Sequence, residues 1–360
     1  MGKIPLSKVY ESEEIRNSIL KVIDSGNFIL GPESGSFEKE LAGYLGVKRF
    51  VLSNSWTSAV YLLLKAMNIE EGKEILLPSL TAFPSVEPIC HVGLKPVFVD
   101  IDETYCMDPD DLRKKITPKS AGILPVHLYG QAADMEAIMA IAEEKGLFII
   151  EDCAQAIGAK YNGKQAGSLT LASGFSFYPS KNLTVYGDGG GIATNDDSLA
   201  DEVVALRNHG RKSKFFNDEI GFNMRFNEIQ AVVGRCQLRV IDELNAKRRK
   251  HAARYSSLLQ GVVKIPEIRK LSEHVFHMYV IESTDRDKLR DFLKQKGIGT
   301  GIHYPVPVHK QPAIINLFGD VSLPKTEEAV DKILSLPMFP DLTEKEIDFV
   351  AGCIREFTGR

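Results

Sequence analysis

Between residues 50 and 194 the chain alternates short apolar runs with helical stretches, and this rhythm narrows the folds open to it. A strand at 50–52 leads to a helix at 57–67, and a strand at 74–77 to a helix at 85–90. A strand at 96–99 ends at Asp100, one at 122–125 leads to a helix at 135–145, and one at 147–151 ends at Asp152. Strands at 174–177 and 191–194 complete the series. Parallel strands need a crossover and the intervening helices supply it, so the pattern predicts an α/β fold with a mixed, mostly parallel sheet covered by helices. In such sheets ligands gather at the carboxyl ends of strands, where this reading puts Asp152 and the residues around Ser55.

Both ends of the chain add helices. Ser12-Glu13-Glu14 is a cap signal before a helix carrying Ile15, Ile19, Val22 and Ile23; Gly31-Pro32-Glu33 reads as a break, and Ser36 starts a helix through Leu45. A long helix is expected over 227–259, with the charge run Lys247-Arg248-Arg249-Lys250 as a solvated face. A strand at 275–281, a helix at 286–296, a Pro-rich stretch at 304–312 and a helix at 344–357 follow. The 360 residues suffice for two packed units, read as a large domain 1–245 with an N-terminal helical arm and a smaller α+β domain 246–360.

Composition excludes several function classes. With 26% charged residues, a net charge of −4 and no basic stripe, nothing points to nucleic acid. No apolar run reaches membrane-spanning length, the first residues lack the apolar core of a signal peptide, and Leu6 stands where a myristoylation signal needs Ser or Thr. The five cysteines, Cys90, Cys106, Cys153, Cys236 and Cys353, are scattered without C-x-x-C spacing, as expected of reduced thiols in a cytoplasm. Asn182-Leu183-Thr184 matches a glycosylation sequon by chance, and no His/Asp/Glu spacing suggests a metal.

Lys181 lies between the apolar run Phe175-Ser176-Phe177 and the glycine cluster Gly187-Asp188-Gly189-Gly190-Gly191. A lysine so placed is either an ordinary surface residue at a turn or an amine nucleophile. Asp152, about thirty residues upstream, is either a helix N-cap or a buried anion. Together they form the pair that pyridoxal phosphate (PLP) requires, an amine for the Schiff base and an anion for the pyridinium nitrogen. In an apolar site desolvation would lower the lysine's pKa and free its lone pair. Ser176 is a strand residue or a phosphate ligand. The segment Ser53-Asn54-Ser55-Trp56-Thr57-Ser58 joins a strand to a helix and offers free N–H groups to a phosphate. The glycine cluster lacks G-x-G-x-x-G spacing and by itself marks a tight turn, which argues against a nicotinamide-dependent oxidoreductase. Arg225, in Gly221-Phe222-Asn223-Met224-Arg225, is an ion-pair partner or a bidentate anion ligand. His303, Tyr304 and His309 border the Pro-rich stretch.

In order and spacing these motifs resemble the DegT/DnrJ/EryC1/StrS family of nucleotide-sugar aminotransferases, of PLP fold type I (aspartate aminotransferase-like). The resemblance runs from Gly31-Pro32-Glu33 through Glu151-Asp152-Cys153-Ala154-Gln155, Phe175-Ser176-Phe177 with Lys181, Gly187-Asp188-Gly189-Gly190 and Gly221–Arg225 to His303-Tyr304-Pro305 and Leu336-Pro337. It implies that Lys181 is the Schiff-base lysine, Asp152 the pyridinium partner and Gln155 the contact to the cofactor's phenolic oxygen. Ser176, Thr57, Ser55 and the backbone near Trp56 match the phosphate site, and Asn223 and Arg225 match residues supplied by the neighbouring subunit of a homodimer. Where the family carries a glycine this chain has Trp56, and where it carries a stacking aromatic this chain has Ala82, so Phe83 or Trp56 becomes the candidate stacker; Asp188 replaces the commoner Glu. The implied activity is transfer of an amino group from L-glutamate to a 3-keto or 4-keto 6-deoxysugar on UDP, dTDP or GDP, with His303, Tyr304 and His309 as candidates to line the sugar pocket. Relatives with histidine in place of the lysine are dehydratases, and Lys181 argues against that outcome. The intact set Asp152, Gln155, Ser176 and Lys181 argues against a non-catalytic PLP-binding regulator, since a pure binder has no need of the lysine.

Overall fold

The computed structural model describes residues 2–213 and 215–359. Two helices come first: α1 (Glu13–Ser25), capped by the Ser12 hydroxyl on the Ile15 N–H, and α2 (Pro32–Leu45). The expected break at Gly31-Pro32 is instead the start of α2, four residues before Ser36: Gly31 is the N-cap and Pro32 takes the first helical position, where its missing N–H is no loss. The α/β series then runs β1 (Arg49–Ser53), α3 (Trp56–Ala66), β2 (Glu74–Pro78), α4 (Glu87–His91), β3 (Lys95–Val99), α5 (Pro109–Lys115), β4 (Ser120–Ile123), α6 (Met135–Lys145) and β5 (Phe148–Asp152). A small hairpin β6 (Lys160–Tyr161) and β7 (Lys164–Gln165) precedes β8 (Ala172–Ser176), β9 (Gly190–Thr194) and α7 (Asp197–Leu206). After α8 (Glu228–Leu238) and α9 (Ile241–Leu259) come β10 (Ser272–Glu273), β11 (Tyr279–Glu282), α10 (Arg286–Gln295), α11 (Pro312–Phe318), α12 (Pro324–Lys332), β12 (Ile333–Leu336) and α13 (Glu344–Thr358).

The central sheet has seven strands in the order β1-β9-β8-β5-β4-β2-β3. β2 pairs parallel with β3 and β4, β4 with β5, and β5 with β8, while β9 is antiparallel to both β8 and β1. Only β9 therefore runs against the rest. The carboxyl ends of β1, β5 and β8 share one edge, and the loop 177–189, which carries Lys181, crosses it on the way to β9. The α/β fold with a mixed, mostly parallel sheet is thus as expected.

Apolar side chains cover both faces of the sheet. On one, Leu62, Leu63, Ile75, Leu77, Ile123, Ile138 and Ile150 join α3 and α6 to the strands. On the other, Phe37, Leu41, Phe50, Phe175, Phe177 and Phe226 pack α2 and the start of α8 against it, with the Phe37 and Phe177 rings 5.5 Å apart. A separate cluster, including Tyr255, Tyr279, Leu289, Leu293, Leu334 and Ile347, binds α9, α10 and α13 to the β11–β12 pair.

Several expectations change in the folded chain. The single helix at 227–259 is two, interrupted at Arg239–Val240 where Val240 takes φ −115° and ψ 3°. α8 packs on α1 and α2, whereas α9 packs on α13, so the break lets one stretch serve two cores. The expected strand 275–281 begins only at Tyr279, because Val275 and Met278 donate instead to the carbonyls of Gly130 and Tyr129. The helix expected at 85–90 is a 3₁₀ turn, Phe83–Ser85, followed by α4. Arg248 is no solvated residue: it is buried, and its guanidinium donates to the carbonyls of Phe276, His277 and Met338. α9 crosses position 245 without interruption. Among the described residues no helix is long and apolar enough to cross a membrane, and all five cysteines are free.

Candidate active site

At the carboxyl edge of the sheet lies a cavity of about 340 Å³. Ser55, Trp56 and Thr57 line it from the start of α3, Thr81, Ala82, Pro84 and Ser85 from the turn after β2, Asp152, Ala154 and Gln155 from the end of β5, and Ser176, Tyr178, Lys181, Asp188 and Gly189 from the β8–β9 connection. A second cavity of about 240 Å³ adjoins it, lined by Leu6, Ser7, His277, Met278, His303, Tyr304, Leu336 and Met338. Lys181 and Tyr178 line both. A larger hollow of about 500 Å³ lies away from this edge; its Lys264 and Glu282 already pair with each other at 2.7 Å, and none of the residues singled out in the sequence is there.

Asp152 is 2% exposed, and both its oxygens are engaged. Oδ1 accepts from the Ala154 N–H at 3.0 Å and Oδ2 from the Ser85 hydroxyl at 2.9 Å; Ser85 in turn bonds Thr81 at 2.8 Å. Burial pushes the carboxyl pKa up, while the Ala154 N–H, Ser85 and the nearby Lys181 charge oppose the rise. Ionising this carboxyl is therefore costly, a cost that a cationic ring nitrogen in the cavity would relieve. Lys181 shows the converse. Burial lowers its pKa to about 8, against the attraction of Asp152, so near neutral pH an appreciable fraction is the free amine. Gln155 is locked by the Tyr129 N–H on its Oε1 at 2.7 Å and donates from Nε2 to the Tyr304 hydroxyl at 3.1 Å, which ties the two cavities together. Burial and the Lys181 charge lower His303 to about 4, and its Nδ1 bonds Ser335 at 2.9 Å.

Ser55 caps α3, accepting from the Ser58 N–H at 3.0 Å, which leaves the first N–H groups of the helix directed at the cavity. The helix comes this close because residue 190 is glycine: a Cβ there would lie 2.4 Å from the Trp56 nitrogen. The last two residues of the glycine cluster are accordingly strand residues under the helix, with only Gly187 to Gly189 left in the connecting loop.

Not every residue singled out in the sequence reaches the cavities. Trp56 lines the first cavity, but its side chain is 5% exposed and packs into the core, where the indole occupies the space that a side chain at Gly174 would take. Phe83 packs against the same core and lines neither cavity, since the 3₁₀ turn presents its neighbours Ala82 and Pro84 instead. His309 is wholly buried between Ser79 and Glu327, held under the end of β2 by the Val308 N–H on the Ser79 carbonyl, and is no lining residue. Asn223 and Arg225 bond each other at 2.9 Å near the surface and line neither cavity of this chain. Sequence reasoning missed Thr81, Ser85, Tyr129 and His277. Ser85 and Asp152 are 67 positions apart, and no local signal marks such a pair.

One buried trio, His127, Glu151 and Cys153, has the proximity of a metal site. Its ligand atoms are already in use. His127 accepts from the Ala133 N–H at Nδ1 and bonds Glu151 at Nε2, Glu151 also accepts from Gly167 and Leu169, and burial holds the Cys153 thiol protonated.

Residues 9–355 match the DegT/DnrJ/EryC1/StrS aminotransferase family. The chain belongs to that family. It is 42% identical to the pleiotropic regulatory protein of Geobacillus stearothermophilus, over 98% of this chain and 97% of that one. It is 41% identical to the UDP-N-acetyl-3-dehydro-alpha-D-glucosamine 3-aminotransferase of Acidithiobacillus ferrooxidans, over 95% and 93%. With the dTDP-3-amino-3,4,6-trideoxy-alpha-D-glucose transaminase of Streptomyces venezuelae the identity is 39%, over 99% and 96%. Among solved structures, S. venezuelae DesV in complex with a ketimine intermediate superposes with a TM-score of 0.97 at 38% identity over the whole of both chains. NtdA of Bacillus subtilis with bound cofactor PMP gives 0.89 at 32%, over 97% of this chain and 82% of the other. The chain is thus a nucleotide-sugar aminotransferase in family and in fold type.

Proposed function

We propose that the chain uses PLP to move an amino group from L-glutamate to the 3-keto position of a nucleotide-linked sugar. One observation carries this reading: Lys181, a lysine with a depressed pKa, and the buried carboxyl of Asp152 line one cavity and feel each other's charge. The residues fit the cofactor. The first turn of α3 with Ser55 and Thr57, together with Ser176, would hold its phosphate, Asp152 its ring nitrogen and Gln155 its phenolic oxygen. When bound, PLP supplies the electron sink that makes the donor's α-proton labile. Asp152 would hold the protonated ring nitrogen, and Ser85 and Thr81 keep Asp152 oriented. Lys181 Nζ, in its free-amine form, would be the base that takes the donor's α-proton and, as the ammonium, the acid that gives a proton back. The lining by Val126, Ala154 and Pro84 limits water there.

The adjoining cavity, with His303 and Tyr304, takes the sugar in this reading. Relatives named for 3-amino and 3-dehydro sugars favour amination at C3 over C4. Asn223 and Arg225, which line neither of this chain's own cavities, would serve a second copy's site, and the working unit would then be a homodimer. Residues 1–245 would bind the cofactor and 246–360 form the smaller domain closing over it. Five free thiols suit the reducing cytoplasm.

The test is a panel of nucleotide 3-ketosugars and 4-ketosugars with glutamate, scored by product mass and regiochemistry, beside the protein's absorbance near the visible edge. Lys181→Ala should abolish both turnover and the absorbance band. Full turnover by that variant would refute the reading, and product aminated only at C4 would refute the regiochemistry.

A further inference from the structure

His277 lines the second cavity together with Lys181 and has no part in the reading above. It is 4% exposed, and its Nδ1 is 3.2 Å from Asn182 Oδ1. The orientation of the Asn182 amide is set by its other end, where Nδ2 donates to Asn245 Oδ1 at 2.7 Å and to the Val275 carbonyl at 3.2 Å. Asn245 is pinned in turn, its own Nδ2 donating to the Ile157 carbonyl at 3.1 Å. With only an acceptor before it, Nδ1 must carry the imidazole proton, and Nε2 is left with its lone pair. Burial and the charges of Lys181 and Arg248 hold the ring neutral, so no second proton fills that position.

That lone pair is buried and meets no hydrogen-bond donor among the described residues. Buried acceptors in folded proteins are almost always satisfied. In its ammonium form Lys181 is a pure donor, and it lines the same cavity; none of the described side chains hydrogen-bonds its Nζ, and its charge is felt at His277. Asn182, which sets the tautomer, is the next residue after Lys181, so the turn that presents the amine also orients its acceptor.

We propose that Lys181 Nζ, once released from the cofactor, turns to His277 Nε2 and donates a hydrogen bond to it, and so parks the nucleophile between its two tasks. His277 is then a positioning residue. The inference rests on the reading of Lys181 as the reactive amine.

The test uses cofactor-free protein, with the pH dependence of Lys181 acylation followed by peptide mass spectrometry. The wild-type amine should titrate near about 8, with Asp152, His303, Tyr304 and Tyr178 as its other polar neighbours. His277→Asn keeps a polar group toward Asn182 but removes Nε2. A neutral acceptor favours the ammonium form, so its loss should lower that midpoint by about one pH unit, tenfold in the protonation constant. His277→Gln, which restores an amide near the Nε2 position, should recover most of it. A purely structural role predicts the opposite sign, because loosened packing admits water and lets the amine climb toward its ordinary 10.5. A rise or no change in His277→Asn overturns the proposal. If that variant fails to fold, ¹⁵N-histidine NMR of the wild type and of Lys181→Met decides. An unprotonated Nε2 whose resonance moves when the lysine is lost supports the proposal, and a protonated or unmoved Nε2 overturns it. Borohydride reduction of the holoenzyme separates the two failures. Without a cofactor adduct on Lys181 the functional reading falls, and the inference with it. With the adduct but without the pKa effect, the inference alone falls.

Discussion

Gly190→Ala tests how the fold builds the site. A Cβ at residue 190 would stand 2.4 Å from the Trp56 nitrogen, 2.6 Å from the Phe175 carbonyl oxygen and 2.6 Å from the Ser55 carbonyl carbon. Ordinary contacts begin near 3.4 Å, so the neighbours must give way by about 1 Å. All three are backbone atoms, which no rotamer change can move. Either β9 separates from β8 at the Ser176–Gly190 pair, or the first turn of α3 lifts away from the cavity. Overpacking relieved by side chains costs about 1–3 kcal/mol, so a backbone-only clash belongs at about 3 kcal/mol or above. Urea denaturation should show that loss, and cofactor titration by absorbance should show affinity down at least about tenfold, since a misplacement of about 1 Å disrupts an aligned anion site. Gly352→Ala is the control. It sits exposed in α13 with nothing within 4 Å of its added carbon, and should gain about 0.5–1 kcal/mol from helix propensity alone. A Gly190→Ala protein with the wild-type urea midpoint and cofactor affinity would refute the reasoning. Lost stability with unchanged affinity would show that β9 yields and α3 does not.

Ser85→Ala removes one of the two donors on Asp152; a hydrogen bond to a charged group is worth about 1.5–3 kcal/mol, so the acid limb of the pH–rate profile should rise by about 1–2 pH units, and an unmoved limb would contradict the assignment. Glu228→Gln should destabilise by about 1–3 kcal/mol in thermal or urea unfolding, because Glu228 takes the Glu33 and Ser34 N–H groups at the start of α2 and an amide can accept from only one side; faster hydrogen exchange at those two amides is the local check. In cofactor-free protein the stability of the wild type relative to Lys181→Met should rise between about pH 8 and 10.5. Over that window the unfolded lysine binds a proton that the folded one has released; below it the difference is level. A flat difference throughout, measured by urea unfolding at each pH, would mean that Lys181 is not held in a depressed state.

Where the sequence spoke through local chemistry, it was legible. Ser12 caps α1 as its side chain suggests, and α6 spans Met135–Lys145 between an aspartate cap and a glycine stop. The alternation of strand and helix predicted the sheet that brings Ser55, Asp152, Ser176 and Lys181 to one edge. The break between α8 and α9 was invisible, since Arg239-Val240 contains no helix breaker and the division follows from packing on two different cores. Arg248 looked like part of a solvated charge run, yet the fold surrounds it with carbonyls that only long-range packing supplies.

The sequence by itself determined the strand order's raw material, the helix starts and stops and the chemical types at the site, because propensity, capping and strand periodicity act over a few residues. Tertiary structure decided which way each side chain faces. It sent the Trp56 ring into the core and His309 under β2, kept Phe83 out of the cavity, set Ser85 against Asp152 and brought His277 and Lys181 to one cavity. Those outcomes depend on contacts between distant segments, for instance the 67 positions between Ser85 and Asp152 and the 230 between Ser79 and His309. Their geometry exists only after the sheet has closed, so no short-range pattern in the chain encodes it.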